Sequence, residues 1–448
     1  MWAALQVGQA ISLTFALASA PAGLSIDEAV GKAIERAHEL RARTESEAVA
    51  RAKTDEIQSA WWPRAEVGGT YLARWPVQTL PISLPAQLGL PPIPEVDDVH
   101  HVQLSAKLRW LLFDLGRGPR ADATEAQLAA EIATTKLSAS ELAFYVRSTF
   151  LLGILARDLK DIARESLRVA REELRTATVK AAVGTGSELA VAQARVRVAQ
   201  LEAEDQRAEI DLARRRTTLA SLLGDEALPP LQGDLEALAA PTPDAPPSPD
   251  TQPEVERLAY ARAAALNLGV AERRTFFPTV ALQAEATLAY PRGFELKLAP
   301  IYAFGAVLSW PIFDGFARSA REAQATHQAA ALAAMSEATK ERLRRGALDL
   351  DERSRAADAG LAAARQIATQ TEIYLRIARA GLEAGTATNL DVHTAELGLD
   401  QARVAIQRAW FEKALIQAER LRLYGQGQQG QGQQVQGRGV QGQRGRTP

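Results

Sequence analysis

Few residues in this sequence have the types and spacing that catalysis or metal binding requires. The 448 residues include no cysteine, which excludes disulfide bonds, thiolate metal sites and a cysteine nucleophile. The five histidines are scattered, apart from His100 and His101, which follow a proline-rich segment and whose side chains point apart on most backbones. No paired carboxylate, Ser-His-Asp set or histidine cluster stands in a credible active site. We therefore expect no enzymatic step, no cofactor and no bound metal.

Two aspartates belong to a pattern that the chain repeats after 200 residues. The segment LRWLLFDLGRGPRADA returns as LSWPIFDGFARSAREA, with Leu, Trp, Phe and Asp in one register. In each copy a pair, Phe113-Asp114 or Phe313-Asp314, ends an aromatic run and precedes an alanine- and arginine-rich segment. The dipole of a helix favours a carboxylate near its first turn. We interpret both pairs as structural strand-to-helix exits, in which a hydrophobic plug is followed by a helix-start aspartate.

Both copies of this pattern lie in longer stretches that predict the same order of elements. Residues 26–60 and 251–277 are rich in Ala, Glu and Arg and predict helices. They run into Trp-Trp-Pro and Phe-Phe-Pro, where proline cannot continue a helix interior. Apolar and polar residues then alternate with period two, four times in the chain, which is typical of strands with one apolar face. We expect these strands to form two β-hairpins, 64–113 and 278–313.

Proline-free stretches follow each hairpin and predict long helices. At a rise of 1.5 Å per residue, each would span roughly 95–100 Å if it were continuous. The stretches end in VGTGSELAVAQA and AGTATNLDVHTA. Gly184 and Gly385 suit helix C-termini, whereas Ser187 and Thr388 suit the N-caps of returning helices. The sequence therefore predicts two long helical hairpins, whose tips are residues 183–188 and 384–389.

The returning helix of the first hairpin carries small and apolar residues at a heptad-like spacing. Such a stripe predicts a seam at which a second helix packs closely. The residues of this predicted seam are Leu189, Ala192, Val196, Ala199, Ala203, Ile210 and Ala213.

The chain thus has an internal two-fold repeat with short additional segments. The first twenty residues contain an apolar run that ends in Ala18-Ser19-Ala20 and resemble a secretory signal peptide, so we expect export. A low-complexity tail rich in Gln and Gly is expected to be disordered. The predicted organisation is a signal peptide (1–20), a first repeat (24–225), a proline-rich linker (226–253), a second repeat (254–425) and the tail (426–448).

Four strands with an apolar face cannot enter a bilayer alone. Their sheet would leave two edges of unpaired backbone groups, each costing several kcal/mol in hydrocarbon, and known small barrels need eight or more strands. Copies of the chain could pool their strands into a barrel, while the long, charged helices would project into water. Aromatic residues near the strand ends are candidates for a girdle at the membrane interface: Trp75, Trp110, Tyr290, Tyr302 and Trp310.

These features together resemble the TolC-like outer membrane factor, or outer membrane efflux protein, family of Gram-negative bacteria. The resemblance covers residues 24–425. It rests on the opening LSIDEAVGKAIERAHEL, the junctions WWPRAEV and FFPTVAL, the two Phe-Asp exits and the two Gly-Thr hairpins. Each motif is weak by itself, but their order and duplication are specific.

The resemblance implies a mixed α/β membrane channel that works as a homotrimer. Three chains would contribute twelve strands to a β-barrel in outer-membrane lipid, continued by an α-helical coiled-coil barrel in the periplasm. The molecule would be the passive exit duct of a tripartite efflux pump or a type I secretion system. A net charge of −2 gives no reason to expect a nucleic-acid partner. The family's tips meet a periplasmic membrane-fusion adaptor and, through it, an inner-membrane transporter, which implies adaptor contacts at Gly184, Thr185, Ser187, Gly385, Thr386 and Thr388.

The resemblance also implies a constriction at the second tip. Asp391 matches the first of two family aspartates that line the tip, whereas Thr394 stands at the second position, a departure from the family. A ring of three Asp391 carboxylates would attract cations and raise its own pKa by mutual repulsion. The other interpretation is that Asp391 caps its helix as the third residue after Thr388. Both roles are compatible and stay open.

A second class of function also stays open. The chain could be a soluble periplasmic coiled-coil adaptor or scaffold of such a system, with its strands in a small β-domain. An adaptor, however, needs no apolar outer face with aromatic ends on all four strands, so the strand alternation favours the channel.

Overall fold

A computed structural model describes residues 23–76, 98–240, 248–292 and 296–424. The predicted signal peptide (1–20), the predicted tail (426–448) and most of the loop that closes the first β-hairpin lie outside these residues. The elements are α1 (Ile26–Arg36), α2 (His38–Ser59), β1 (Arg64–Ala73), β2 (His100–Phe113), α3 (Arg117–Ala182), α4 (Glu188–Leu223), α5 (Leu235–Leu238), α6 (Pro253–Arg274), β3 (Thr279–Tyr290), β4 (Ala299–Ser309), α7 (Ala317–Glu383) and α8 (Asn389–Tyr424).

The chain divides into two compact units. We call the described residues of 39–138 and 247–344 the strand unit, and those of 1–38, 139–246 and 345–448 the helical unit. Each unit therefore contains parts of both sequence repeats. The predicted helix over 26–60 is broken at Ala37, whose backbone is extended, so that α1 belongs to the helical unit and α2 almost entirely to the strand unit.

The strand unit contains one antiparallel sheet in the order β1-β2-β3-β4. Its register aligns apolar residues into rows across all four strands, for example Val67, Ala106, Ala286 and Tyr302, then Ala65, Leu108, Ala284 and Phe304. The opposite face carries polar and charged residues, among them Lys107 and Glu285, whose side-chain charges are 3.6 Å apart. Among the described residues, β1 and β4 have no strand on their outer edges. One face is therefore apolar from edge to edge.

The two hairpins end differently. β2 continues to Phe113, whereas β4 ends at Ser309, before Trp310 and Ile312, which the alternation had assigned to the strand. Pro311 explains the difference, because proline has no N–H to donate to a sheet.

The helical unit has its main core where α1, α3, α4, α5 and α8 meet. Its largest fully buried side chains include Phe150, Ile154 and Leu223. The first part of the proline-rich linker belongs to this core, since Leu228, Leu231, Leu235 and Ala239 are buried in it, and Leu24 forms a backbone bridge with Leu231. Proline content alone did not reveal that this segment packs.

One described helix, α3, contains an 18-residue window with a mean hydropathy of 1.3, apolar enough to cross a membrane by length and composition. More than half of that window, 56 %, is buried inside the structure. Since Phe150, Leu151 and Ile154 of α3 lie in the main core, protein packing accounts for apolar character in this helix.

Each helical hairpin also has its own core. Leu167, Ala170, Val198 and Leu201 join α3 to α4, and Leu375, Ala378, Val392, Ala395 and Leu399 join α7 to α8. The predicted seam is wrong for packing within the chain, because Leu189, Val196 and Ile210 are exposed. The residues of α4 that face α3 are offset by two positions from that stripe.

Candidate functional site

The aspartates of the two strand-to-helix exits bind the start of the following helix. At the first exit Asp114 Oδ1 accepts a hydrogen bond from the Gly116 N–H at 2.8 Å, and its Oδ2 accepts one from Arg120 at 3.1 Å. At the second exit Asp314 Oδ2 accepts from the Arg318 N–H at 3.1 Å and from its Nε at 2.9 Å. Both carboxylates therefore satisfy donors of a first helical turn, where the dipole also favours their charge.

A buried arginine completes each exit, and the sequence analysis missed both of them. Arg117 donates to the Leu111 carbonyl and lies over the Trp61 ring at 4.3 Å. Arg318 donates to the Pro311 carbonyl at 2.8 Å and lies over the Phe276 ring at 4.2 Å. The two arginines are 201 residues apart, so the same duplication that exposed the aspartates could have identified them. We call these two groups of contacts the exit clasps.

A tryptophan of the repeated pattern closes each exit clasp. Trp110 Nε1 donates to the Trp61 carbonyl at 3.0 Å, and Trp310 Nε1 donates to the Phe276 carbonyl at the same distance. Each hydrogen bond uses the single donor that an indole ring has. The aromatic residue that follows each preceding helix, Trp61 or Phe276, is thus held both by its carbonyl and by its ring.

The phenylalanines of the exits do not plug the interior of the chain. Phe113 is 43 % exposed and Phe313 is 75 % exposed, and Phe313 meets Phe316 edge to face at 5.6 Å. The expected hydrophobic plug is therefore wrong for the single chain. The exits are held by hydrogen bonds and arginine–aromatic contacts instead.

The candidate girdle aromatics divide between the two ends of the sheet. Trp75 follows β1 and Tyr290 ends β3. Tyr302 lies toward the same end of the sheet, as the fourth residue of β4, opposite Ala286. Trp110 and Trp310 lie at the other end, beside the helix junctions. Two bands of aromatic side chains suit two interfaces of a bilayer, and contact with lipid stays a prediction.

Both hairpin tips begin with the same backbone turn. Gly184 and Gly385 have φ angles of 77° and 75°, in the left-handed region that favours glycine. The following threonine N–H reaches back to a carbonyl five residues earlier, Thr185 to Lys180 at 2.9 Å and Thr386 to Gly381 at 2.8 Å. This is the Schellman arrangement, in which a helix end satisfies its last carbonyls. All six residues predicted for adaptor contact are exposed at these tips.

The two returning helices are capped by different side chains. Ser187 accepts a hydrogen bond from the Leu189 N–H at 3.1 Å. At the second tip Thr388 accepts from the Asp391 N–H at 3.3 Å, and Asp391 Oδ2 accepts from the Thr388 N–H at 2.8 Å and its hydroxyl at 2.7 Å. This is the reciprocal cap that the sequence offered as one role for Asp391.

These hydrogen bonds set the electrostatics of Asp391 within one chain. The backbone N–H of Thr388, and then its hydroxyl, hold the pKa of Asp391 below its usual range. The raised pKa expected for a ring of three carboxylates would require neighbouring chains. Thr394 is exposed, and its hydroxyl donates to the Leu390 carbonyl at 2.8 Å within the helix. The role of Asp391 and Thr394 in lining a constriction stays a prediction.

A buried polar cluster links the two helical hairpins, and nothing in the sequence pattern had indicated it. Glu173 of α3, Arg197 of α4, Arg379 of α7, and His393 and Glu396 of α8 meet there. One potential metal-binding atom from each of Glu173, His393 and Glu396 lies within 4.8 Å of the others. Glu173 is more than 200 residues away from His393 and Glu396 in the sequence.

Comparison with known proteins identifies the family. The sequence model of the outer membrane efflux protein family matches residues 29–225 and 250–424, one segment for each repeat. The chain belongs to the outer membrane efflux protein family. No curated protein sequence matches the chain significantly. The resemblance to TolC-like outer membrane factors is thereby confirmed, and membership of the family places the chain in the outer membrane of a Gram-negative bacterium.

Solved structures of outer membrane channels share the fold. CusC superimposes with a TM-score of 0.76 at 18 % identity, covering 89 % of this chain and 91 % of CusC. The CmeC channel of Campylobacter jejuni gives 0.73 at 14 % identity, covering 93 % and 89 %. VceC of Vibrio cholerae gives 0.69 at 17 % identity, covering 89 % and 96 %. The predicted channel-tunnel fold of one chain is confirmed, and the soluble adaptor is not supported by this family.

Proposed function

We propose that this outer membrane efflux protein is the passive exit duct of a tripartite efflux pump or a type I secretion system. It works as a homotrimer whose twelve strands close one barrel in outer-membrane lipid. The observation that carries the proposal is the sheet of the strand unit, which has one wholly apolar face and two edges without a strand partner among the described residues.

The two edges explain why copies of the chain must associate. Each edge of a sheet exposes a row of unpaired N–H and C=O groups, and a bilayer core offers no water to bind them. Pairing β1 of one chain with β4 of the next satisfies both edges and closes a ring without a free end. Four strands per chain reach the twelve of the proposed barrel with three chains. The apolar face, including Val67 and Phe304, then meets lipid.

The helices offer a second surface for the same association. Leu189, Val196, Ala203 and Ile210 of α4 recur every seven residues and are exposed in the single chain. An apolar stripe of this period fits against another helix. We assign this stripe to contact between neighbouring chains, so the seam predicted from the sequence serves the trimer.

The tips are the proposed contact with the periplasmic adaptor, through which an inner-membrane transporter supplies the energy. Val183, Leu189 and Leu390 are exposed apolar side chains around the two Schellman turns. No catalytic step is needed in a duct, and transport through it follows the gradient that the transporter maintains.

A pair of substitutions on β4 tests which face meets lipid. Phe304 and Gly305 are adjacent and point to opposite faces, and a side chain added at Gly305 meets nothing within 4 Å. Phe304→Arg on a lipid face should destabilise the barrel by about 2–4 kcal/mol, as arginine does near the bilayer midplane. We expect few conducting channels in planar bilayers from Phe304→Arg and normal channels from the control Gly305→Arg.

Two results would contradict the proposal. One is equal loss of channels in both variants, which would mean that β4 does not present one face to lipid and the other to water. The other is recovery of the unaltered protein from the soluble periplasm without detergent.

A further inference from the structure

The buried polar cluster joins charged side chains of both helical hairpins. Glu396 lies at its centre, with a side chain only 6 % exposed. Its Oε1 accepts a hydrogen bond from Arg379 at 2.8 Å, and its Oε2 is 3.3 Å from Arg197. Each helix of both hairpins therefore contributes at least one group, because Glu173 comes from α3.

The second carboxylate of the cluster faces the first. Glu173 Oε1 is 3.9 Å from Arg379, and a carboxylate oxygen of Glu173 lies within 4.8 Å of Glu396 and His393. Glu396 is buried and Glu173 is partly buried. Two carboxylates at this separation repel each other unless one holds a proton, which can then bond to the other. A shared proton would join α3 of the first hairpin directly to α8 of the second.

The charges favour a proton over a metal ion in this position. Arg197 and Arg379 already supply two positive charges, so a proton, which adds one, fits this position better than a divalent cation, which adds two. Among the described residues, Glu396 Oε2 and His393 Nδ1 are buried atoms without a hydrogen-bond partner, 3.6 Å apart, and Glu396 Oε2 is also 3.3 Å from Arg197.

We propose that Glu173 and Glu396 form a proton-dependent clasp that ties the first helical hairpin to the second and weakens as pH rises. The clasp is a property of the chain. Only its consequence, a pH-dependent position of the tips in the exit duct, rests on the proposed function.

The titration behaviour of the pair agrees with this geometry. Burial, and then the hydrogen bond and charge of Glu396, raise the pKa of Glu173 to about 8. Burial opposes ionisation of Glu396, yet the hydrogen bonds from Glu173 and Arg379 lower its pKa. At neutral pH the pair therefore retains one proton, which Glu173 can donate to Glu396.

The sign of the effect follows from the raised pKa. When the hairpins separate, Glu173 meets water and returns toward an ordinary carboxyl pKa of about 4.3. Between that value and about 8 the clasped state holds one more proton than the separated state. Each rise of one pH unit in this range therefore lowers the equilibrium constant for clasping by up to about tenfold, and the effect levels off above 8. At acid pH the clasp also weakens, as pH falls through the lowered pKa of Glu396.

Other titratable groups face the cluster and must be controlled. Asp400, one turn further along α8, has a pKa raised by burial and also faces Arg197. His393 faces Glu396 from the same helix. Arg197 of α4 and Arg379 of α7 are the positively charged groups that face Glu396 from the other helices. A variant of Glu173 alone separates its proton from these.

The test measures the distance between the two hairpins in the full-length protein. The chain has no cysteine, so Val183→Cys and Leu390→Cys give spin labels at the two tips and nowhere else. Labelled chains are diluted with unlabelled chains, in EDTA to exclude metal, and distances are recorded by pulsed electron resonance at about pH 6 and about pH 9.5, on either side of the titration near 8. We expect a narrow distance distribution at the lower pH and a broader, longer one at the higher pH.

Two variants decide the cause. Glu173→Gln keeps a hydrogen-bond donor toward Glu396 but cannot titrate, so its distances should be the same at both pH values. Glu172→Gln changes the exposed neighbour on the same helix and should behave as the unaltered protein. An unaltered protein without a pH shift, or a shift that persists in Glu173→Gln, would overturn the clasp. A shift with these controls in protein that forms no channels would instead reject only the proposed function.

Discussion

The strand exits and the hairpin tips both occur twice in the chain, but the two copies of an exit share side-chain contacts, whereas the two copies of a tip share a backbone conformation. At the exits the same three kinds of side-chain contact recur in both copies, although the partners of the two aspartates differ: an aspartate on the helix start, a buried arginine on an aromatic ring and a tryptophan on a backbone carbonyl. At the tips only the backbone turn is the same, and the caps differ.

This difference separates what builds the fold from what can vary. A strand that turns into a long helix needs its first-turn donors satisfied in either repeat, so the same residues serve both exits. A helical hairpin needs a left-handed residue at its turn, and the residues that follow are free to diverge. The second tip is accordingly a place where the two repeats differ.

The largest expected effect is the loss of an exit clasp. Arg318→Ala removes hydrogen bonds to Asp314, Thr275 and Pro311 and the contact with Phe276, and should lower the free energy of unfolding by about 3 kcal/mol. Arg117→Ala removes fewer contacts and should lower it by about 2 kcal/mol. Thermal denaturation of the detergent-solubilised protein, followed by circular dichroism, gives the comparison.

An exposed arginine of α3 provides the control for both exit variants. Within the described part of the chain, Arg175 pairs with its helix neighbour Glu172 at 3.2 Å, and Arg175→Ala should change stability by less than about 0.5 kcal/mol. Destabilisation by only one of the two exit variants would show that the two exit clasps do not both stabilise the fold.

The tips should respond equally to substitution of their turning glycines. Gly184→Ala and Gly385→Ala each force a side chain into the left-handed region, at a cost of about 1–2 kcal/mol. Gly360→Ala is the matched control, because this glycine lies inside α7 with open space around it and should stabilise the helix by about 0.5–1 kcal/mol. Opposite signs for the tip variants and the control are expected in denaturant unfolding, and a common sign would contradict the assigned turns.

The smallest expected effect distinguishes the two tips by pH. Because the Asp391 pKa is lowered by Thr388, the stability of this cap is complete above the ordinary carboxyl pKa of about 3.9 and is lost as pH falls through the lowered value. Hydrogen exchange of the Leu390, Asp391 and Val392 amides should therefore accelerate with acid, after correction for the intrinsic exchange rate.

The Ser187 cap has no titrating partner in its hydrogen bond, so the first tip should change less over the same range. Asp391→Asn should make the two tips respond alike. If protection at the second tip were independent of pH in the unaltered chain, the reciprocal cap would not be its main stabilising contact.

Periodicity and duplication predicted most of the fold, because they report directly on the faces of strands and helices. They failed where a residue's partner lies far away in sequence. Arg117 and Arg318 looked like surface arginines until the Trp61 and Phe276 rings were placed beneath them. The linker residues Leu231 and Leu235 were hidden among prolines, and Ala37 carries no signal of a helix break. The Glu173–Glu396 pair was beyond sequence reasoning, since only the packing of two hairpins brings these residues together.

The measurement that tests the central claim most directly is cross-linking between sheet edges. The chain has no cysteine, so Gly68→Cys on β1 can be combined in turn with a cysteine at each position 301–307 on β4. If β1 of one chain pairs with β4 of the next in a closed ring, mild oxidation should yield covalent species that end at the trimer for the pairs in register. Exclusively monomeric chains throughout the scan, or a ladder that continues beyond three, would contradict the account.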